Sequence, residues 1–269
     1  MMSPPRTSQL RRLAARIQQI EQRSDPPHTV TSTGWVVVDQ VLGGLVHQGT
    51  HEWFGLLPAL AGHAGSKQWI PPLSVLVYLA RRALQGEEPE ADPGSVVWIG
   101  RRCWPTLWGL TAGDNRESRL LQQSIFVNPA DDDTRLWSID LALRCPAVAA
   151  VVADAGGLPM AATRRLQLAA ESATTLALLA RPPSERAAYS AATTRWLVRR
   201  VRGPQPQMSI ELLRCKSGLL QKTEQEGNNA RAQTWTLQWN RTKGLIALPA
   251  DVVHRPDQAK VEQAQRKTG

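Results

Sequence analysis

The sequence predicts an α/β fold, with a mostly parallel sheet covered by helices on both faces and antiparallel strands following it. Three observations predict this. Between residues 51 and 180, unbroken apolar runs alternate with stretches of helical periodicity in the order β-α-β-α-β-α-β-α-β. Strands read this way when both faces are covered and neither meets water. After Pro182 the apolar and polar residues alternate instead, which marks antiparallel strands with one wet face. A chain of 269 residues with 42% apolar composition is long enough for a sizeable core, in one large domain or two modest ones.

Three segments divide the chain: residues 1–28, a core over 29–248, and a polar tail over 249–269. In the first, Leu10, Leu13, Ile17 and Ile20 recur at helical spacing over residues 8–22, with Arg11, Arg12 and Arg16 between them. Such a helix caps its own domain or docks on another subunit. Pro26 and Pro27 then mark a linker. "HEWF" (51–54) is a short strand running into a turn at Gly55, and Pro71 and Pro72 fit the first turn of a helix that reaches about Leu84. "SVVWIG" (95–100) is a buried strand, "WPTLWGLTAG" a helix ending near Gly113, and "SIFVNP" the next strand. "DDDTRLWSIDLALRC" is a helix with acids in its first turn, where they favour the dipole. "PAVAAVVADAGGL" (146–158) is a strand stopping at Asp154. "PMAATRRLQLAAES" and "TTLALLA" supply a further helix and strand. Then "TRWLVRRVRG", "QMSIELLRCK" and "QTWTLQW" alternate as antiparallel strands, joined in part by the long polar connection "SGLLQKTEQEGNNARA".

Composition excludes several classes. No stretch approaches the roughly 20 apolar residues that span a bilayer, and no secretory signal is evident at the N-terminus. Cys103, Cys145 and Cys215 are odd in number and widely spaced, which fits a reducing cytoplasm rather than a disulfide framework. The five histidines form no metal-ligand spacing with them or with each other. No G-x-S-x-G elbow occurs. Ten tryptophans stand against two Phe and two Tyr, mostly within apolar runs, where core filling is the default and base stacking the alternative. The formal charge is +9, and a basic chain attracts polyanions.

The stretch between "HEWF" and the next helix has the layout of a phosphate-binding loop. A Walker A loop needs G-x-x-x-x-G-K-[ST], whose backbone N–H groups cradle phosphates while Lys and the hydroxyl serve phosphate and Mg²⁺. Counting back from Lys67 puts Ala61 at the first glycine, Ser66 at the second and Gln68 at the hydroxyl; Gly65 is out of register. Gly55, Gly65, Ser66, Lys67 and Asp154 are therefore the residues of a degenerate nucleotide site. Asp154 has two readings: the acid that holds a metal-linked water in a P-loop ATPase, or a carboxylate capping its strand or the next helix. No carboxylate ends "SVVWIG", where Arg101 and Arg102 stand. Late in the chain, Arg199, Arg200, Arg202, Arg214 and Lys216 are candidates for contact with the phosphate backbone of single-stranded DNA, or else a solvated basic face.

These residues carry a family resemblance. "STGWVVVDQVLGGLVHQGTHEWFG" resembles the lead-in to a RecA-type P-loop NTPase core, with T-G, D, L-G-G-L, G and E-x-x-G in order. "SIDLALRCPAVAAVVADAGGL" is similar to its helix and Walker B strand, with Asp154 at the Walker B acid. A closer resemblance, over roughly residues 8–240, is to the ImuA group of translesion-synthesis accessory proteins. Its most specific parts are "LRRLAARIQQIE", "RRLQLAAES", "LALLARP" and "SAATTRWLVRR". That resemblance implies a non-catalytic accessory of SOS-type mutagenic repair in the cytoplasm. Its implied partners are an ImuB-like Y-family polymerase homologue and an error-prone DNA polymerase; single-stranded DNA or RecA is a further candidate partner, and the composition points to no membrane. It implies ATP as the cofactor of the degenerate site, and self-association or partner binding through Leu10, Leu13, Ile17 and Ile20. Gln68, Ser66 and the Arg101–Arg102 pair depart from the RecA pattern and argue against turnover. The rival readings are a DNA-dependent ATPase of recombinase type and a SulA-like cell-division inhibitor.

Overall fold

A computed structural model describes residues 29–56, 69–85, 94–111, 118–201, 206–216, 233–240 and 244–248. The segment 8–22, the connection 217–232 and the tail from 249 lie outside the described residues.

The described chain opens with β1 (Val30–Thr31), helix α1 (Val36–Leu42) and β2 (Leu45–Val46), with β1 and β2 antiparallel. Three successive valines disfavour a helix at α1. Asp39 holds it. Its carboxylate accepts from the Ser32 hydroxyl at 2.7 Å, from Thr33 N–H at 3.0 Å and hydroxyl at 2.7 Å, and from Gly34 N–H at 3.2 Å. The S-T-G and D of the sequence are thus one local hydrogen-bonded unit. Gly43, left-handed at φ 71°, closes the helix.

The remaining elements follow in the predicted rhythm. They are β3 (Thr50–Phe54), α2 (Leu73–Ala83), β4 (Ser95–Ile99), a 3-10 turn Arg101–Cys103, α3 (Leu107–Thr111), α4 (Ser118–Gln122) and β5 (Ser124–Val127). Next come α5 (Asp132–Leu143), β6 (Val148–Asp154), α6 (Met160–Glu171), β7 (Leu176–Arg181) and a 3-10 turn Pro183–Ala187. The last four strands are β8 (Thr194–Val201), β9 (Gln207–Cys215), β10 (Gln233–Asn240) and β11 (Gly244–Leu248). Several details differ from expectation: "WPTLWGLTAG" is helical only over Leu107–Thr111, and α4 lies where the sequence pattern assigns no element. Pro71 and Pro72 precede α2, whose N-cap is Pro72; the Pro72 carbonyl accepts the first helical N–H groups, from Val75 and Leu76. And β11 adds a strand that the sequence pattern leaves unassigned. The acids at the start of α5 are placed as expected, with Asp131 Oδ1 accepting from Thr134 N–H at 2.7 Å.

Nine strands form the main sheet, in the order β11-β10-β9-β8-β3-β7-β6-β4-β5. From β5 to β8 every pairing is parallel; from β8 to β11 every pairing is antiparallel. The fold is therefore a mixed α/β one with a mostly parallel central sheet, flanking helices and antiparallel strands. One face buries Trp35, Trp53, Leu76, Leu79, Trp98 and Trp196 with α1 and α2. The other buries Val97, Val151, Leu179, Ile139 and Leu166 with α5 and α6. Tryptophan fills the first core. Trp53 and Trp196 stack at 5.0 Å between centroids, and Trp235 leans on Trp196 at 6.0 Å. Trp137 and Trp239 are exposed.

Candidate functional site

A parallel sheet presents its strand carboxyl ends as one edge, and ligands bind there where neighbouring strands send their connections in opposite directions. The strand order places one such crevice between β4 and β6. The chain leaves β4 toward β5 on one side and leaves β6 toward β7 on the other. Gly55 follows β3 and Asp154 ends β6, so both stand on this edge with β7 between them. Gly65, Ser66 and Lys67 lie outside the described residues.

Trp69 joins the two ends. A Cβ on Gly55 would lie 2.6 Å from the Trp69 ring and 2.4 Å from the Ile70 carbonyl oxygen. A Cβ on Gly156 would meet the same indole at 3.6 Å and Asp154 Oδ1 at 3.1 Å. Gly55 has no room for a side chain because the buried indole lies across the edge, whereas Gly156 is crowded by Asp154 and Pro182 and meets the indole only in ordinary contact. Arg102 covers that indole, its guanidinium carbon 5.0 Å from a ring centroid, and its Nε stands 3.4 Å from Asp154 Oδ2. Asp154 Oδ1 accepts from Gly156 N–H at 3.0 Å. Of the two readings of Asp154, the capping geometry is thus present, and its other oxygen faces an arginine. Arg101 stacks on Trp104 at 5.8 Å. Arg135 donates to the Gly156 carbonyl at 2.7 Å and pairs with Asp132 at 3.2 Å. Cys103 is buried under this cluster; burial, then the Asp154 charge, pushes its thiol well above the usual range, so it is an inert thiol. Among the described residues no group of three His, Cys, Asp or Glu side chains is placed to hold a metal ion.

A second cluster lies inside the sheet. Glu52, fully buried in β3, accepts from Arg181 Nη1 at 2.7 Å, Ser190 Oγ at 2.6 Å and Arg195 Nε at 2.8 Å. Arg181 also bonds Glu185 at 2.6 and 2.9 Å and the Leu158 carbonyl at 3.2 Å. Arg195 donates to the carbonyls of Arg186 and Glu185 and lies 4.8 Å over the Phe54 ring. The cluster ties β3, β7 and β8 to the Pro183–Ala187 turn, and Glu185 reaches back to Gly157 N–H at 2.8 Å. Sequence reasoning missed it. Its signal was three charged residues inside or ending otherwise apolar strands.

Among the described basic candidates, three have partners within the chain. Arg199 pairs with Glu211, Arg214 donates to the Ser190 carbonyl at 2.9 Å, and Lys216 stands 3.4 Å from Glu171. Arg200 is exposed and, next to Arg199 on β8, points to the opposite face of the sheet. Arg202, and Leu10, Leu13, Ile17 and Ile20, lie outside the described residues. No described helix is long and apolar enough to cross a membrane. Compared with known proteins, the chain matches no family model and no curated protein sequence.

Proposed function

We propose that this chain is a RecA-like accessory or scaffold protein of SOS-type mutagenic DNA repair. It serves translesion synthesis by binding partner proteins, with single-stranded DNA as a further partner, and carries a degenerate nucleotide site. The observation that carries the reading is the engaged acid at the carboxyl edge. A phosphoryl-transfer site needs a free group to orient the attacking water. Here Trp69 and Arg102 lie over that edge, and Asp154 is engaged by Arg102 and Gly156. The mostly parallel sheet, with Gly55 after β3 and Asp154 ending β6, supports a RecA-like P-loop NTPase core from which turnover has been lost. Exposed apolar side chains support a protein-contact role: Ile125 and Phe126 on the edge strand β5, and Trp137 and Leu141 on α5. The partners this reading assigns are an ImuB-like Y-family homologue, an error-prone polymerase and RecA. Arg199, Arg200, Arg202, Arg214 and Lys216 are its DNA contacts, and Leu10, Leu13, Ile17 and Ile20 its subunit or partner contacts.

ATP hydrolysis by the purified full chain, measured with and without single-stranded DNA, tests it. The expected result is negligible turnover in both. Turnover that rises with DNA and vanishes in Lys67→Ala would replace the scaffold with a DNA-dependent ATPase.

A further inference from the structure

We infer that the crevice between the carboxyl ends of β4 and β6 binds a phosphate group, held by Arg101, Arg102 and Arg135. This rests on reading the same edge as a disabled nucleotide site, and it adds what that site still takes.

Charge is the first argument. The described charged residues around the crevice are Arg101, Arg102 and Arg135, with Asp154 and the three acids at the start of α5, Asp131, Asp132 and Asp133. Glu185, which touches the turn after β6 through Gly157, is neutralised by Arg181. The three acids of α5 are exposed and screened by water, so Asp154 is the one half-buried carboxylate that the arginines meet at the strand ends, where a water-activating site would carry a second acid. Asp132 is also the more solvated partner, its side chain 79% exposed, so it offsets Arg135 weakly.

Donor geometry is the second. Arg101 and Arg102 each stand over an indole, 5.8 Å from the Trp104 centroid and 5.0 Å from the Trp69 centroid. A ring contact of this kind uses no N–H of the guanidinium, which keeps its two-pronged fork for phosphate. Arg101 is exposed and is paired with no carboxylate among the described residues. Arg102 meets Asp154 only through Nε, at a long 3.4 Å, so its terminal nitrogens stay available. Arg135 brings a third guanidinium whose Nε is buried without a partner among the described residues. A buried donor left unpaired carries a desolvation cost that an incoming oxyanion would remove.

Placement is the third. The strand connections part at β4 and β6, which is where an open α/β sheet offers a ligand crevice. A carboxylate at the end of β4 would repel a phosphate and orient a water. The arginine pair attracts the phosphate and orients nothing for attack. The arrangement therefore suits retention of a phosphorylated ligand without hydrolysis. Asp154 sets the selectivity: a ligand that reaches Arg102 must outcompete this carboxylate, which favours a dianionic or polyphosphate group over a single phosphodiester.

Calorimetric titration of the full chain with inorganic tripolyphosphate at low ionic strength tests the site. Wild type is expected to bind, and Arg101→Ala with Arg102→Ala to bind at least about tenfold more weakly, the loss of two charge-assisted contacts. Arg101→Ala alone removes an exposed side chain, so it keeps the test valid if the double variant misfolds; it should weaken binding by severalfold. Arg144→Ala, an equal change of charge at the far end of α5, should leave binding unchanged. ATP and an oligothymidylate serve as the two natural sources. Loss of ATP binding in the arginine variants identifies a nucleotide, and loss of oligothymidylate binding alone identifies nucleic-acid phosphate; either supports the site. Absence of tripolyphosphate binding overturns the inference, as does binding that survives in the double variant or that depends only on Lys67. Hydrolysis of bound ATP would instead overturn the scaffold reading while leaving the arginine site standing.

Discussion

Glu52, Arg181 and Arg195 meet inside the sheet, where Glu52 and Arg181 are 1% and 2% exposed and Glu52's oxygens receive three hydrogen bonds. Arg102 and Asp154 meet at its carboxyl edge, where the arginine is 41% exposed and the one contact spans 3.4 Å. Both clusters join an arginine to a carboxylate across neighbouring strands, yet the physics differs. The first has removed its charges from water and must satisfy every one of them internally. The second keeps its arginines half in water and leaves donors over. A saturated cluster holds a fold together; an unsaturated one is available to a ligand.

The sharpest way to break this contrast is to remove the carboxylate of the buried cluster. Glu52→Gln leaves Arg181 and Arg195 with one buried counter-charge fewer, and breaking such a cluster typically costs about 3–5 kcal/mol. Urea unfolding of wild type and variant reads the difference directly. A loss below about 1 kcal/mol, the range of solvated surface pairs, would show that water already screens the cluster.

How much of this was visible in the sequence depends on range. "SVVWIG", "PAVAAVVADAGGL" and "TTLALLA" announce buried strands because a strand covered on both faces has no polar side to show. Gly55 and Asp154 were legible as strand ends for the same reason: the apolar run stops there. The Glu52 cluster was not, because its partners are 129 and 143 residues away along the chain. Only the placement of β7 and β8 on either side of β3 brings them together, and no local pattern encodes that order. Arg102 was legible as a departure, an arginine where an acid was expected. That it would lie on Trp69 and face Asp154 depends on the approach of three separate segments. Arg199 and Arg200 are neighbours in sequence, yet strand alternation puts them on opposite faces of the sheet and Glu211 pairs with the first.

His51 extends the contrast to a proton. It is fully buried in β3. Its Nε2–H donates to the Val46 carbonyl at 2.8 Å, while Nδ1 accepts from the Thr194 hydroxyl at 2.7 Å, which itself accepts from Trp196 Nε1 at 2.7 Å. The neutral ring has both nitrogens satisfied in this arrangement, and burial lowers its pKa from 6.5 to about 4. The folded pKa lies below the unfolded one, so the stabilisation is whole above pH 6.5 and is lost as pH falls from there toward about 4. The full loss is on the order of 3 kcal/mol, since each tenfold fall in proton affinity is worth about 1.4 kcal/mol. Chemical denaturation of wild type and His51→Gln at pH 7 and pH 4.5 isolates this residue, because the carboxylates are common to both. The gap between the two proteins should shrink on acidification. Parallel decline would mean that the imidazole titrates as it does in water.

The smallest expected effect is the most informative about the edge. Arg102→Ala removes a half-exposed arginine that makes one long contact with Asp154 and covers Trp69. Solvated ion pairs are worth about 0–1 kcal/mol, and Asp154 keeps its bond from Gly156, so stability should fall by no more than about 1 kcal/mol. A residue whose removal costs the fold so little is not maintained there by folding alone. Thermal unfolding of Arg102→Ala, run beside the tripolyphosphate titration, therefore separates the two uses of an arginine in this sheet. Nearly unchanged stability with weakened phosphate binding keeps the clusters distinct. A loss of several kcal/mol would make Arg102 a second structural arginine like Arg181, and the contrast between the interior and the edge would collapse.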